Sequence, residues 1–135
     1  MFNKHRILIP ITFMLLTALA GCSNTLSKSS LNSICKIYYE SPEWRQAAWD
    51  SYSRWGVPPH VLLAMVYQES TFNAEAKPER DYILGIIPWT RPTTAYGYAQ
   101  ATDGTWYEYQ KATGNWRGQR NDIHDALDFM GWYNH

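Results

Sequence analysis

The chain has no surplus of positive charge: twelve lysines and arginines stand against twelve aspartates and glutamates over 135 residues. A surface built to neutralise nucleic-acid phosphates would be basic, so no nucleic-acid partner is expected. Cysteine is scarce, with two in the chain. His60, His124 and His135 have no cysteine or acid cluster near them at metal-ligand spacing. They are assigned to helix surfaces or caps, and neither a metal nor another cofactor is expected. There is no internal repeat, and no stretch reads convincingly as a strand. Nor does the apolar run Ile7 to Leu16 approach the roughly 20 residues needed to span a bilayer as a mature helix. The length is that of one domain at most.

What is present begins with that short run. Lys4, His5 and Arg6 precede it and small residues follow it, the layout of a secretory signal. It ends in Leu19-Ala20-Gly21-Cys22, which resembles the lipobox of bacterial lipoproteins. The resemblance implies that residues 1–21 are removed and that the Cys22 thiol carries a diacylglycerol. Acyl chains anchor a protein without any transmembrane helix. Ser23, rather than Asp, follows Cys22, which by resemblance to enterobacterial-type sorting implies the outer membrane, with the protein facing the periplasm. Loss of Lys4 and Arg6 leaves a mature net charge of −2. Residues 22–40 are assigned to the lipidated cysteine and a flexible tether rich in Ser, Asn, Thr and Lys, with globular structure starting near Ile34. Residues 41–135 are assigned to the domain. Cys35 is then an odd thiol in an oxidising compartment. It is either buried and free, or paired with a cysteine C-terminal to His135.

The remaining pattern is helical. Ser41-Pro42-Glu43 reads as a helix start, Trp44, Ala48, Tyr52 and Trp55 follow at helical spacing, and Gly56 is placed as a stop. A second helix is expected from Pro58-Pro59 to about Glu69, and 72–91 is expected to be irregular. Thr102 or Asp103 caps a third helix ended by Gly114. Asn121 caps a fourth, with Ile123, Ala126, Leu127, Met130 and Tyr133 on one face. The fold class is mainly α, with helices packed around a cleft. Aromatics make up 16%, including 7 Trp and 10 Tyr, enough to serve both a core and the faces of sugars.

Glu69 stands out physically. It sits at the C-terminal end of an apolar helix, where the negative end of the helix dipole and flanking apolar groups both favour the protonated carboxyl. A carboxyl so placed suits a general acid for glycoside cleavage, although spacing alone fits a solvated helix-end glutamate as well. Glu75, Glu79 and Asp81 could supply a second carboxylate, or could lie on a solvated loop.

Two ordered segments carry a resemblance. Glu69-Ser70-Thr71-Phe72-Asn73 resembles the E-S-x-F-N signature of lytic transglycosylases with the goose-type lysozyme fold. Tyr96-Gly97-Tyr98-Ala99-Gln100-Ala101-Thr102-Asp103-Gly104-Thr105 resembles their A-x-G-L-M-Q-x-x-P-x-T segment, with Gly97, Gln100 and Thr105 on matching letters. Tyr98 and Ala99 replace Leu and Met. The resemblance covers Trp44 to the end and implies a lysozyme-like domain acting on peptidoglycan. In that family one glutamate protonates the bond between N-acetylmuramic acid and N-acetylglucosamine, then takes a proton from the sugar's 6-hydroxyl, which closes a 1,6-anhydro ring without water or metal. Carried over, Glu69 is the acid/base, Gln100 contacts the sugar or the acid, and Ser70 supports the turn. Gly97 lets backbone approach the substrate, and Tyr96 and Tyr98 either line the cleft or pack in the core.

The pattern also departs. Glu69 to Gln100 is longer than the family spacing, and the extra Lys77–Thr94 stretch is expected as a loop beside the cleft, with Trp89 in core or lid packing or on a sugar. The family's third motif, A-Y-N-x-G, has a tyrosine facing the acid. Tyr133-Asn134 shares two of its letters but falls in the fourth helix, and is read as coincidence. The domain is therefore expected to be incomplete at its C-terminus and to lack the far wall of its cleft. Three functions stay open: the transglycosylase, a lysozyme-type muramidase, and a non-catalytic peptidoglycan-binding lipoprotein or remnant. Oligomeric state is not legible in the sequence.

Overall fold

Helix ends in this protein follow from local chemistry. The computed structural model describes residues 33–135. The signal segment, Cys22 and the first part of the tether lie outside them. In chain order the described residues form α1 (Ile34–Glu40), α2 (Pro42–Trp55), α3 (Pro59–Ser70), β1 (Tyr82–Ile83), β2 (Ile87–Pro88), α4 (Asp103–Thr113) and α5 (Ile123–Asn134). The domain is mainly α and lysozyme-like, as expected.

Pro42 and Pro59 open α2 and α3, where a missing N–H costs nothing. Gly56 (φ 78°) and Gly114 (φ 75°) end α2 and α4 in the left-handed conformation, each N–H donating back to the last turn. Thr102 caps α4 by accepting from the Thr105 N–H. The cap of α5 is Asp122, which accepts from the Asp125 N–H, and not Asn121. The Asn121 amide instead donates to Glu75 at 3.0 Å, across the fold.

Two elements depart from the sequence reading. Helix α1 lies inside the stretch assigned to the tether. Ile34, Ile37 and Tyr38 form its i, i+3, i+4 stripe, and Ile37 is 1% exposed, so the packed body begins at Ile34, where globular structure was expected to start, and residues 34–40 are not tether. Residues 82–88, read as irregular, form a short antiparallel hairpin with Ile83 opposite Ile87. Its turn places Leu84 (φ 55°) and Gly85 (φ 73°) in the left-handed region that a tight hairpin turn demands. No residue of the hairpin is buried, which is why it lacks the alternation that marks a half-buried strand.

The core lies between α2, α3 and α5, with α1 and α4 closing its sides. Ala48, Leu62, Leu63, Val66, Ala126 and Leu127 are completely buried. Truncating such a leucine to alanine costs about 2–5 kcal/mol. Helices α2 and α5 approach closely at Gly131, where a Cβ would stand 2.6 Å from Trp55 Cδ1 and nearer still to Ser51 Oγ. The Ser51 hydroxyl donates to the Leu127 carbonyl at 2.7 Å, satisfying a buried group at the contact. Asp128 then ties three helices together: it accepts from Arg54 (3.0 Å), Trp55 Nε1 (2.7 Å) and the Tyr109 hydroxyl (2.7 Å). This packing fixes α5 against α2 and α4.

Candidate active site

Glu69 is the second-last residue of α3, and the helix stops abruptly after it. Thr71 (φ 51°) and Phe72 (φ 62°) are both left-handed. That conformation costs a residue with a Cβ about 1–2 kcal/mol. Contacts on both sides offset it. The Thr71 N–H donates to Tyr67 O (2.9 Å) and the Asn73 N–H to Ser70 O (3.0 Å). The buried Ser70 hydroxyl donates to Val66 O at 3.1 Å. The Phe72 ring meets Trp44 edge-on at 5.1 Å. Ser70, Thr71, Phe72 and Asn73 thus end the helix directly behind Glu69, which remains exposed.

The second wall comes from the 96–101 segment, closed by a bridge between Tyr96 and Ala101. Gln100 is also left-handed, at φ 47°. Its Nε2 donates to Ala76 O (3.0 Å) and Gly97 O (2.8 Å), which joins this segment to the turn after Glu69. Both bonds use the amide nitrogen, so the amide oxygen is the group left to meet a ligand.

The third wall is the end of α5. A cleft of about 420 Å³ is lined by Met65 and Glu69 from α3, by Gln100, Thr102 and Thr105, and by Phe129, Met130, Tyr133 and Asn134. The Tyr133 ring is 63% exposed and stacks on Phe129 with centroids 5.8 Å apart. Tyr133 and Asn134, which share two letters with the family's third motif, are thus among the residues that line the cleft.

The other expected site residues fall elsewhere. Gly97 is buried and faces its own chain: a Cβ there would lie within 2.5 Å of the Arg120 carbonyl carbon and closer still to its oxygen. Its lack of a side chain serves close packing of two loops, not approach to a substrate. Tyr98 does not line the cleft; its half-buried ring packs edge-on against Trp44 at 5.1 Å, and burial raises its phenol pKa. Tyr96 also lies outside it, donating to Glu75 at 2.7 Å. Ser70 stays below the surface as a turn support. The Lys77–Thr94 stretch supplies none of the cleft's lining, and Trp89 is 58% exposed.

Of the acids considered, Glu69 alone lines the cleft. The Glu75 carboxylate is held below its ordinary pKa by the bonds from Tyr96 and Asn121, with Lys77 adding to the effect. It functions as a clamp between the turn after α3, the 96–101 segment and the start of α5. Cys35 is free and exposed on α1, so the buried-thiol reading is excluded. Among the described residues no group of three His, Cys, Asp or Glu side chains could hold a metal ion.

A protein-family model described as a transglycosylase SLT domain matches residues 10–135. Comparison with curated proteins and with solved structures gives no match.

Proposed function

Since the chain belongs to the transglycosylase SLT domain family, we propose that it is a peptidoglycan lytic transglycosylase with Glu69 as its single acid/base. The observation that carries this reading is the composition of the cleft: one carboxylate, on the helix end that carries the family signature, and no second one opposite. Two-carboxylate glycosidases hold their acids on both sides of the scissile bond. A one-carboxylate cleft suits a reaction in which the substrate provides its own nucleophile.

The proton path is then short. The protonated Glu69 carboxyl donates to the glycosidic oxygen as the bond from C1 of N-acetylmuramic acid breaks, releasing N-acetylglucosamine with a free 4-hydroxyl. The substrate's N-acetyl oxygen supports the developing positive charge. Glu69, now a carboxylate, takes the proton of the 6-hydroxyl while O6 bonds to C1. The acid is regenerated, a 1,6-anhydro end forms and no water is consumed. Gln100 would offer its amide oxygen to a sugar hydroxyl or N–H, and Tyr133 and Asn134 would bound the opposite side.

The lipobox places this activity on a lipid anchor at Cys22, at the outer membrane and facing the periplasm, where peptidoglycan is in reach. The test is digestion of purified sacculi followed by mass analysis of the products. Anhydro-muropeptides that vanish in Glu69→Gln are expected. Products one water heavier would make the protein a muramidase. Co-sedimentation with sacculi and no soluble product would leave a binding protein only.

A further inference from the structure

A second cavity, of about 560 Å³, adjoins the first. The two share one segment as a wall: Gln100 and Thr102 line the Glu69 cleft, while Tyr96 and Asp103 line the second cavity. Its charge is one-sided. Lys77, Arg80, Arg91 and Arg120 line it against a single acid, Asp103, in a chain with no formal net charge.

The four cations are not equivalent. Arg120 is committed to the fold, paired with Asp103 at 2.8 Å and donating to Thr94 O and Ala101 O. Lys77 lies over the Tyr96 ring at 4.8 Å, and Arg91 donates to Pro78 O. Arg80 has no partner among the described residues. Glu75 is near Lys77, but its carboxylate is occupied by Tyr96 and Asn121 and does not line the cavity. Glu79 and Asp81 flank Arg80 in the chain and do not line it either. Three positive side chains therefore surround one cavity with no carboxylate of the protein assigned to them. Like charges so gathered repel, and an anion between them removes that cost. The arginine fork suits a carboxylate in particular.

We propose that this cavity is a subsite for the carboxylates of the peptide stem that peptidoglycan carries on its muramic residue. The inference rests on the transglycosylase reading. The stem branches from the sugar next to the bond that Glu69 would cleave, so a glycan in the first cleft projects its acidic peptide over the shared wall. The subsite makes the protein prefer peptide-bearing strands to bare glycan.

The test compares binding of full-length Glu69→Gln to peptide-bearing glycan strands and to strands stripped of peptide by an amidase. Peptide-bearing strands are expected to bind about tenfold tighter, the gain from one or two charge-assisted contacts, and the preference should shrink as salt rises. Adding Arg80→Gln and Arg91→Gln should erase the preference and leave binding to stripped strands unchanged. Arg80→Gln alone, at an exposed position without a partner, keeps the test open if the combined variant misfolds. Equal binding of both strands by the parent, or a preference that survives both substitutions, overturns the proposal. So does a result in which the substitutions spare strand preference and instead loosen the protein from anionic but not neutral phospholipid vesicles. Digestion by the chain with Glu69 intact separates the two claims. Strand preference without cleavage removes the enzyme and keeps the subsite; cleavage without preference does the reverse.

Discussion

Gly97→Ala is expected to be among the most damaging single-methyl changes in this domain. Gly97 has φ 77°, and the methyl of alanine would fall within 2.5 Å of the Arg120 carbonyl carbon. The left-handed conformation alone costs alanine about 1–2 kcal/mol. The overlap is with backbone, so no rotamer change relieves it, and overpacking of this kind adds about 1–3 kcal/mol. The neighbouring bond from Tyr98 N–H to Arg120 O, at 3.2 Å, would lengthen as the loops part. The combined cost is about 2–5 kcal/mol, which for a domain near 100 residues lowers Tm by roughly 10 °C or more. Gly104→Ala is the matched control. Gly104 lies in the first turn of α4, its φ is ordinary and a Cβ would meet nothing within 4 Å. Alanine there should leave stability unchanged or raise it by up to about 1 kcal/mol. Thermal unfolding followed by circular dichroism reads both. A Gly97→Ala protein as stable as the parent, or one no worse than Gly104→Ala, would refute the claim that two loops meet at this glycine. Retained strand binding in a folded Gly97→Ala would also show that Gln100 does not depend on that contact.

Four further outcomes follow from the same packing. Gly131→Ala crowds Trp55, whose Nε1 is held by Asp128, and Ser51, whose hydroxyl is held by Leu127 O; after the gain in helix propensity, chemical denaturation should show a net loss of about 1–3 kcal/mol. Tyr109→Phe removes a hydroxyl that donates to Asp128 and accepts from Asn115, and should cost about 1–3 kcal/mol with an unchanged denaturant m-value. The same phenol is pushed well above its ordinary pKa, chiefly by burial, so it should stay protonated in alkali that ionises exposed tyrosines. The Glu75 clamp gives a pH dependence of defined sign. Its folded pKa is depressed, so its contribution is present above the ordinary carboxylate pKa of about 4.3 and is lost as pH falls through the folded value. Hydrogen exchange at Gly97 and Tyr98 should accelerate as pH falls below about 4, relative to the intrinsic rate, and Glu75→Ala should show that faster exchange already at neutral pH.

Local chemistry and global packing divide the account of this protein. Prolines at 42 and 59, glycines at 56 and 114 and the Thr102 hydroxyl act within a turn of their own position, so the ends of α2, α3 and α4 were legible in the sequence. The carboxylate proposed as the acid could be singled out too, because Glu69 and the residues that stop its helix are contiguous. Helix α1 was hidden by its brevity, and the hairpin by having no buried face. The reach of the cleft was decided elsewhere. Tyr133 and Glu69, 64 positions apart in the chain, line one cleft because α5 packs on α2 at Gly131, which has no side chain. The roles of Gly97, Tyr96 and Tyr98 depend in the same way on Arg120, Glu75 and Trp44, which no local pattern brings near them. Sequence by itself determined four of the five described helices, the family and the carboxylate proposed as the acid. Tertiary structure decided which aromatic and amide groups surround that carboxylate, because those neighbours are set by how helix faces and loops pack, and packing partners leave no periodic trace along the chain.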